Sequence, residues 1–218
     1  MKRKLLCITP DLNRSGAPIA LYELLRILTQ KSIYSINVMT YGKGDLLSSY
    51  EKLIGNEHLT VLNGLNPTDE FRNCLQNDYD MILLNTAAVY TFSFFFQNTD
   101  IPVFWWIHEA PQLIEESFPG FPNPHLLSKN FRLFVPSKGA AEWFNKHYVY
   151  DVSVLPVPVF VPDLLETDLP LDLPDNRVIF FVPAAYSYIK GQDILLSAIL
   201  SLPDEYKDRS LFIFCGYT

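Results

Sequence analysis

The chain has 218 residues, with 17 Lys and Arg against 24 Asp and Glu, a formal charge of −7. Hydrophobic residues make up 49 % and aromatics 14 %, which excludes general disorder and supplies ample side chains for a core. The acidic balance argues against a nucleic-acid partner, because a phosphate backbone is held mainly by Lys- and Arg-rich surface.

The first segment, Met1-Lys2-Arg3-Lys4 followed by apolar residues 5–8, imitates a secretory signal but stops too early, at Pro10-Asp11. Residues 5–9 read as a buried strand and 10–16 as a loop. Leu21, Leu24, Leu25 and Leu28 then share one face of a helix, with Pro18 in its first turn. Residues 33–40 are a second strand, broken by Gly42-Lys43-Gly44; 46–54 are a short helix and 59–62 a third strand. Asn66-Pro67-Thr68-Asp69-Glu70 has the chemistry of a helix start, and that helix runs to about Gln76. Residues 81–84 form a fourth strand, and Thr86 caps a helix through Phe96. The apolar stretch 81–96 contains Asn85 and falls short of a membrane span. The aromatic run Phe92, Phe94, Phe95 and Phe96 reads as packing, with a peripheral membrane-facing patch as the alternative.

A fifth strand, 101–107, carries Trp105 and Trp106. Residues 109–124 hold four prolines and read mostly as a long loop. Residues 132–135 are a sixth strand, Ser137 caps a helix containing Ala140, Ala141 and Phe144, and 152–155 are a seventh strand. Strands alternating with helices at this spacing pair in parallel through right-handed crossovers. Residues 1–156 are therefore expected to form a doubly wound, Rossmann-like α/β sheet, with its ligand outside the carboxyl ends of the strands. Residues 157–176 read as a linker: they are rich in proline, and from Val161 to Asn176 there are five acids and no Lys or Arg. A strand at 178–182, a helix at 192–202 and a strand at 211–215 open a second α/β unit over 177–218, which is too small to be stable alone. Its edge strand is expected to invite self-association unless covered.

The strand ends supply the candidate site residues. Gly16, before the first helix, lets a ligand approach the backbone near unpaired N–H groups; a plain turn glycine is the other reading. The loop lacks the GxGxxG spacing of dinucleotide folds. His108, after Trp105-Trp106-Ile107, can donate or accept a hydrogen bond near neutral pH or be satisfied by backbone groups, and its neighbour Glu109 catalyses or tethers the loop. Lys190 and Gly191 precede a helix, an arrangement suited to a diphosphate or simply a solvated lysine at a helix start. Cys7, Cys74 and Cys215 have no metal or disulfide spacing, so a reduced cytosolic protein without structural zinc is expected.

In order along the chain, Ser15-Gly16-Ala17, Trp106-Ile107-His108-Glu109, Val135-Pro136-Ser137 and Lys190-Gly191-Gln192-Asp193-Ile194-Leu195-Leu196 resemble segments of GT-B glycosyltransferases of the group 1, family 4 type. The resemblance implies transfer of a sugar from a nucleotide-sugar donor to a glycan or lipid-linked acceptor, without cofactor or essential metal. It implies that residues 1–156 are the acceptor-side domain and 177–218 the start of the donor-side domain. Gly16 would then lie near the donor diphosphate, His108 near the reacting sugar, and Lys190 and Gly191 on the diphosphate. There are departures. Ala185 stands where the family often has arginine, and Val157-Pro158 replaces its usual Asn-Gly. The family's paired glutamates and nucleoside pocket would fall beyond Thr218. A sugar-nucleotide epimerase of the same fold and a truncated, non-catalytic sugar- or partner-binding module are the alternatives.

Overall fold

The computed structural model describes residues 2–62, 71–72, 78–159, 173–174, 176–187 and 190–216. The helix expected over 66–76 lies outside the described residues apart from Phe71 and Arg72, which are helical, and so do Cys74 and most of the expected linker. The chain divides into two compact units, Met1–Val161 and Pro162–Thr218.

In the first unit, β1 (Arg3–Thr9), α1 (Gly16–Lys31), β2 (Tyr34–Thr40), α2 (Leu47–Ile54) and β3 (Leu59–Val61) come first. They are followed by β4 (Met81–Asn85), α3 (Tyr90–Phe96), β5 (Val103–Trp106), α4 (Pro111–Ser117), β6 (Phe131–Val135), α5 (Lys138–Tyr148) and β7 (Ser153–Val154). The seven strands form one sheet in the order β3-β2-β1-β4-β5-β6-β7, every pair parallel. This is the doubly wound arrangement, and strand order reverses between β1 and β4, where such sheets open a crevice.

Side chains alternate across the sheet. Leu5 and Cys7 of β1 face α1 and α2, packing with Ala20, Leu21, Leu25 and Tyr50. Leu6 and Ile8 face the opposite layer, where Phe92, Phe96 and Phe144 close over Trp105 and Phe131. Burial on both faces explains why the inner strands, β1 from Leu5, β4 and β5, are nearly continuous apolar runs rather than alternating. Burial also pushes the Cys7 thiol well above its usual range, so it is an inert core group. In α3, Phe92 and Phe96 are buried while Phe94 and Phe95 reach the surface. No described helix is long and apolar enough to cross a membrane.

Two local expectations are corrected. Residues 109–124 are not one long loop, because α4 occupies Pro111–Ser117 within them. Proline in the first turn of a helix loses no hydrogen bond, so it starts this helix instead of breaking it. Thr86 caps a single 3-10 turn, Ala87–Val89, with its Oγ1 accepting from the Ala88 N–H; α3 starts only at Tyr90.

The second unit contains β8 (Val178–Pro183), α6 (Gln192–Ser201), α7 (Asp204–Asp208) and β9 (Ser210–Cys215). The short helix α7 had no clear period in the sequence. The two strands pair in parallel, from Val178 beside Ser210 to Pro183 beside Cys215. Among the described residues this sheet has two strands and hence two open edges, where the association expected from sequence would have to form.

Candidate functional site

The site is built from the carboxyl ends of β1, β4 and β5, and starts from the loop between β1 and α1. Leu12 is fully buried and anchors this loop. The loop's backbone is stapled to the β2–α2 loop: the Gly42 N–H donates to the Pro10 carbonyl at 3.0 Å and the Leu46 N–H to the Leu12 carbonyl at 2.9 Å. Those approaches need glycine. A Cβ on Gly44 would collide with the Leu12 carbonyl group and the Asn13 nitrogen. Behind the loop, the buried Tyr50 hydroxyl donates to the Pro18 carbonyl at 2.7 Å and fixes the first turn of α1. Gly16 itself is exposed, with nothing within 4 Å of where a Cβ would stand, and Ser15 makes no side-chain cap. Pro18 has no N–H, so Gly16 and Ala17 supply the N–H groups at the head of this turn.

Asn85 is the last residue of β4 and is completely buried. Its Nδ2 donates to Thr9 Oγ1 at 3.2 Å and to the Ala17 carbonyl at 3.3 Å. Its Oδ1 lies 3.0 Å from Nε2 of His108. One amide thus joins the ends of β1, β4 and β5 to the start of α1, and Gly16 and His108 stand at the same edge of the sheet. The imidazole also packs on Trp106, with ring centroids 4.6 Å apart. Desolvation lowers the His108 pKa from 6.5 to about 4, so the ring is neutral at physiological pH.

Glu109 turns back toward the backbone. Its Oε2 accepts from the Ala87 N–H at 2.9 Å and the His108 N–H at 3.1 Å, and the Thr86 hydroxyl adds a further hydrogen bond. Burial raises its carboxyl above the ordinary range, and these donors offset part of that rise. The carboxylate holds a strained turn. Thr86 has φ 79° and ψ 161°, a region nearly reserved for glycine. Besides its contacts with Glu109 and Ala88, Thr86 donates its N–H to the Trp106 carbonyl and accepts from Trp105 Nε1, both at 2.8 Å. Such a conformation costs on the order of 1–3 kcal/mol and persists only when neighbours over-determine it.

Lys190 and Gly191 stand together in the second unit. Gly191 has φ 69° at the N-cap of α6, where other residues would be strained, and Lys190 is exposed. Gln192 secures the loop before them: its Oε1 accepts from the Ser187 N–H, and its Nε2 donates to the carbonyls of Ala184 and Ala185. Among the described residues there is no group of three or more His, Cys, Asp or Glu placed to hold a metal ion.

No protein-family model matches the chain, and no curated protein matches it. Solved structures do. MnaA of S. aureus, solved with UDP, superposes with a TM-score of 0.61 at 17 % identity, over 99 % of this chain and 63 % of that one. The glycotransferase of kitacinnamycin gives 0.57 at 13 % identity, over 98 % and 66 %. UGT89C1 of Arabidopsis thaliana, complexed with UDP-L-rhamnose, gives 0.53 at 15 % identity, over 100 % and 70 %. The chain has the GT-B fold. The likeness embraces both units, although the chain spans only about two thirds of the length of these GT-B neighbours.

Of the sequence-predicted residues, Gly16, His108 and Glu109 are gathered at one GT-B strand edge. Lys190 and Gly191 form one loop-to-helix junction. Asn85 and Thr86 fall in one of the strand-end stretches where the ligand is expected, but neither they nor Thr9 and Gln192 had an expected site role. The available signal for Asn85 was an amide closing the apolar strand Met-Ile-Leu-Leu-Asn at a switch point.

The buried histidine makes stability depend on pH. Between pH 6.5 and about 4 the unfolded chain protonates His108 while the folded chain does not, so this contribution is full above 6.5 and is lost on acidification through that window. The span corresponds to on the order of 3 kcal/mol. Glu109 works in the opposite sense, because its raised folded pKa lets the native state take up a proton first as pH falls. Urea denaturation of wild type and His108→Gln across pH 4–7 isolates the first effect. The wild type is expected to lose stability on acidification more steeply than the variant; parallel curves would contradict it.

Proposed function

We propose that this chain carries the acceptor-side half and the opening of the donor-side half of an enzyme that transfers a sugar from a nucleotide-sugar donor to a glycan or lipid-linked acceptor. The observation that carries the reading is the cluster of polar groups, Thr9, Asn85, His108 and Glu109, at the β1/β4 switch point of a GT-B fold. Glycosyl transfer from a nucleotide sugar requires two things of such a site: groups that accept negative charge as the nucleoside diphosphate leaves, and neutral polar groups that orient sugar hydroxyls.

The exposed start of α1 at Gly16 in the first unit and the Lys190-Gly191 start of α6 in the second each have the chemistry for the first task. His108, neutral and at a strand end, is suited to the second, as a residue contacting the donor sugar. Glu109 acts through His108 and Thr86 as a positioning residue, because its carboxylate is engaged by backbone N–H groups. Two of the solved neighbours carry UDP or UDP-L-rhamnose, which supports a uridine nucleotide as the donor moiety. No step in this reading needs a metal or an organic cofactor.

The test is sugar transfer by a protein extended past Thr218 by a complete second domain, assayed against a panel of UDP-sugars. Transfer is expected in the extended protein and little or none in the 218-residue chain. Lys190→Ala in the extended protein should weaken UDP binding by at least about tenfold, the scale of one charge-assisted hydrogen bond. Transfer by the short chain, or unchanged UDP affinity in Lys190→Ala, would contradict the reading.

A further inference from the structure

We propose that Asn85 is a positioning residue that fixes His108 as its Nε2–H tautomer, making Nδ1 the ring atom offered to a substrate hydroxyl. That role for Nδ1 rests on the reading of His108 as a substrate-contacting residue; the tautomer rests on geometry alone.

The direction of every proton in the cluster follows from two backbone carbonyls, one in the β1–α1 loop and one in the first turn of α1. A carbonyl only accepts. The Thr9 hydroxyl lies 3.4 Å from the Asp11 carbonyl and donates to it. Thr9 Oγ1 then offers its lone pair, at 3.2 Å, to the amide of Asn85. The Ala17 carbonyl, 3.3 Å from the same amide, also requires a donor. Both contacts are satisfied only with Nδ2 on that side, which turns Oδ1 toward His108. A carboxamide oxygen is an acceptor without a proton, so the imidazole nitrogen 3.0 Å away must carry the hydrogen. In a neutral ring the other nitrogen then holds the lone pair. Asn85 is completely buried, so while the imidazole is in place its amide depends on these protein partners.

The consequence is a coupling between the two parts of this strand edge. The β1–α1 loop supplies the carbonyl of Asp11 and the helix start at Gly16 that of Ala17, and these determine, through Asn85, which nitrogen of His108 is basic. Nδ1 can accept a hydrogen bond from a hydroxyl, whereas a histidine with the reverse tautomer would offer that hydroxyl only a donor.

The experiment is a long-range 1H–15N correlation spectrum of the 218-residue chain labelled with 15N-histidine at pH 7, without ligand. His108 is assigned by its loss in His108→Gln. The expected wild-type signal is a protonated Nε2 and a bare Nδ1. In Asn85→Leu the ratio should move toward the Nδ1–H form by roughly tenfold, the effect of one net hydrogen bond. Thr9→Val disturbs the same buried cluster but leaves the Ala17 carbonyl to orient the amide, so the wild-type tautomer should persist. A wild-type spectrum with the proton on Nδ1 would overturn the proposal, and this outcome does not depend on whether Asn85→Leu folds. A folded Asn85→Leu with an unchanged tautomer, or a Thr9→Val that loses it equally, would also overturn it. Because no substrate is present, failure here is separate from failure of the transfer reading. A correct tautomer with no effect of His108→Ala on turnover would leave Asn85 in its role and remove His108 from the chemistry.

Discussion

Replacing His108 by alanine should lower sugar-transfer turnover on the order of 10²-fold in a protein extended to a full second domain, with the fold intact. The magnitude is the lower end for a positioned acid/base or hydrogen-bonding side chain. The fold should survive because the ring is half-buried at a strand end and lies outside both core clusters. Removal of the imidazole strands only the Asn85 oxygen, at an edge where water can reach the space left by the ring. Circular dichroism provides the folding control and initial rates provide the readout. A variant that turns over like wild type would exclude His108 from the site. Because the native ring remains neutral down to about pH 4, turnover in the wild type should show no histidine-like inflection near pH 6.5 from this residue.

Gly44→Ala should destabilise the first unit by about 3 kcal/mol and displace the β1–α1 loop. The added methyl would meet backbone rather than a flexible side-chain end, so one of two loops must move. Overpacking of this kind typically costs about 1–3 kcal/mol. The movement also strains the bond from the Leu46 N–H to the Leu12 carbonyl, whose net value is about 1 kcal/mol. Gly139, in the first turn of α5, is the matched control. It has open space where a Cβ would stand, and alanine there should be neutral or slightly stabilising through helix propensity. Urea midpoints of the two variants make the comparison. Equal stability of Gly44→Ala and Gly139→Ala would show that the two loops are not held in contact.

The inner strands were legible because each is an apolar run bounded by turn residues and buried on both faces of the sheet; the outer ones follow from their spacing between helices. Leu5 through Thr9 is the clearest case. The helix at Pro111 was not legible: four prolines within sixteen residues mask the fact that the first of them stands where its missing N–H does no harm. His108 could be found because it follows two tryptophans at a strand end. Asn85 could not be chosen in the same way. Its importance comes from partners 68 and 76 residues away in sequence, which only the folded sheet brings within hydrogen-bonding distance. Glu109 shows the converse. The sequence left catalysis and tethering open, and the positive φ of Thr86, which the carboxylate helps to hold, has no signature in residue type.

The strand order also dictates how the molecule can assemble. β1 is the first strand made, yet one of its neighbours, β4, begins 72 residues after the last residue of β1. Until β4 docks, β1 can pair only with β2, and its other edge is open to wrong partners. Pairings so distant in sequence must overcome loop-closure entropy before they return any contact, which makes them slow. The amide that directs the His108 proton arrives with that late strand, and the histidine arrives with the next. On a chain emerging from the ribosome the edge that gathers Thr9, Asn85 and His108 is therefore the last part of the sheet's centre to exist, and a polypeptide stalled before Asn85 would carry the β1–α1 loop without the amide and the imidazole that stand beside it.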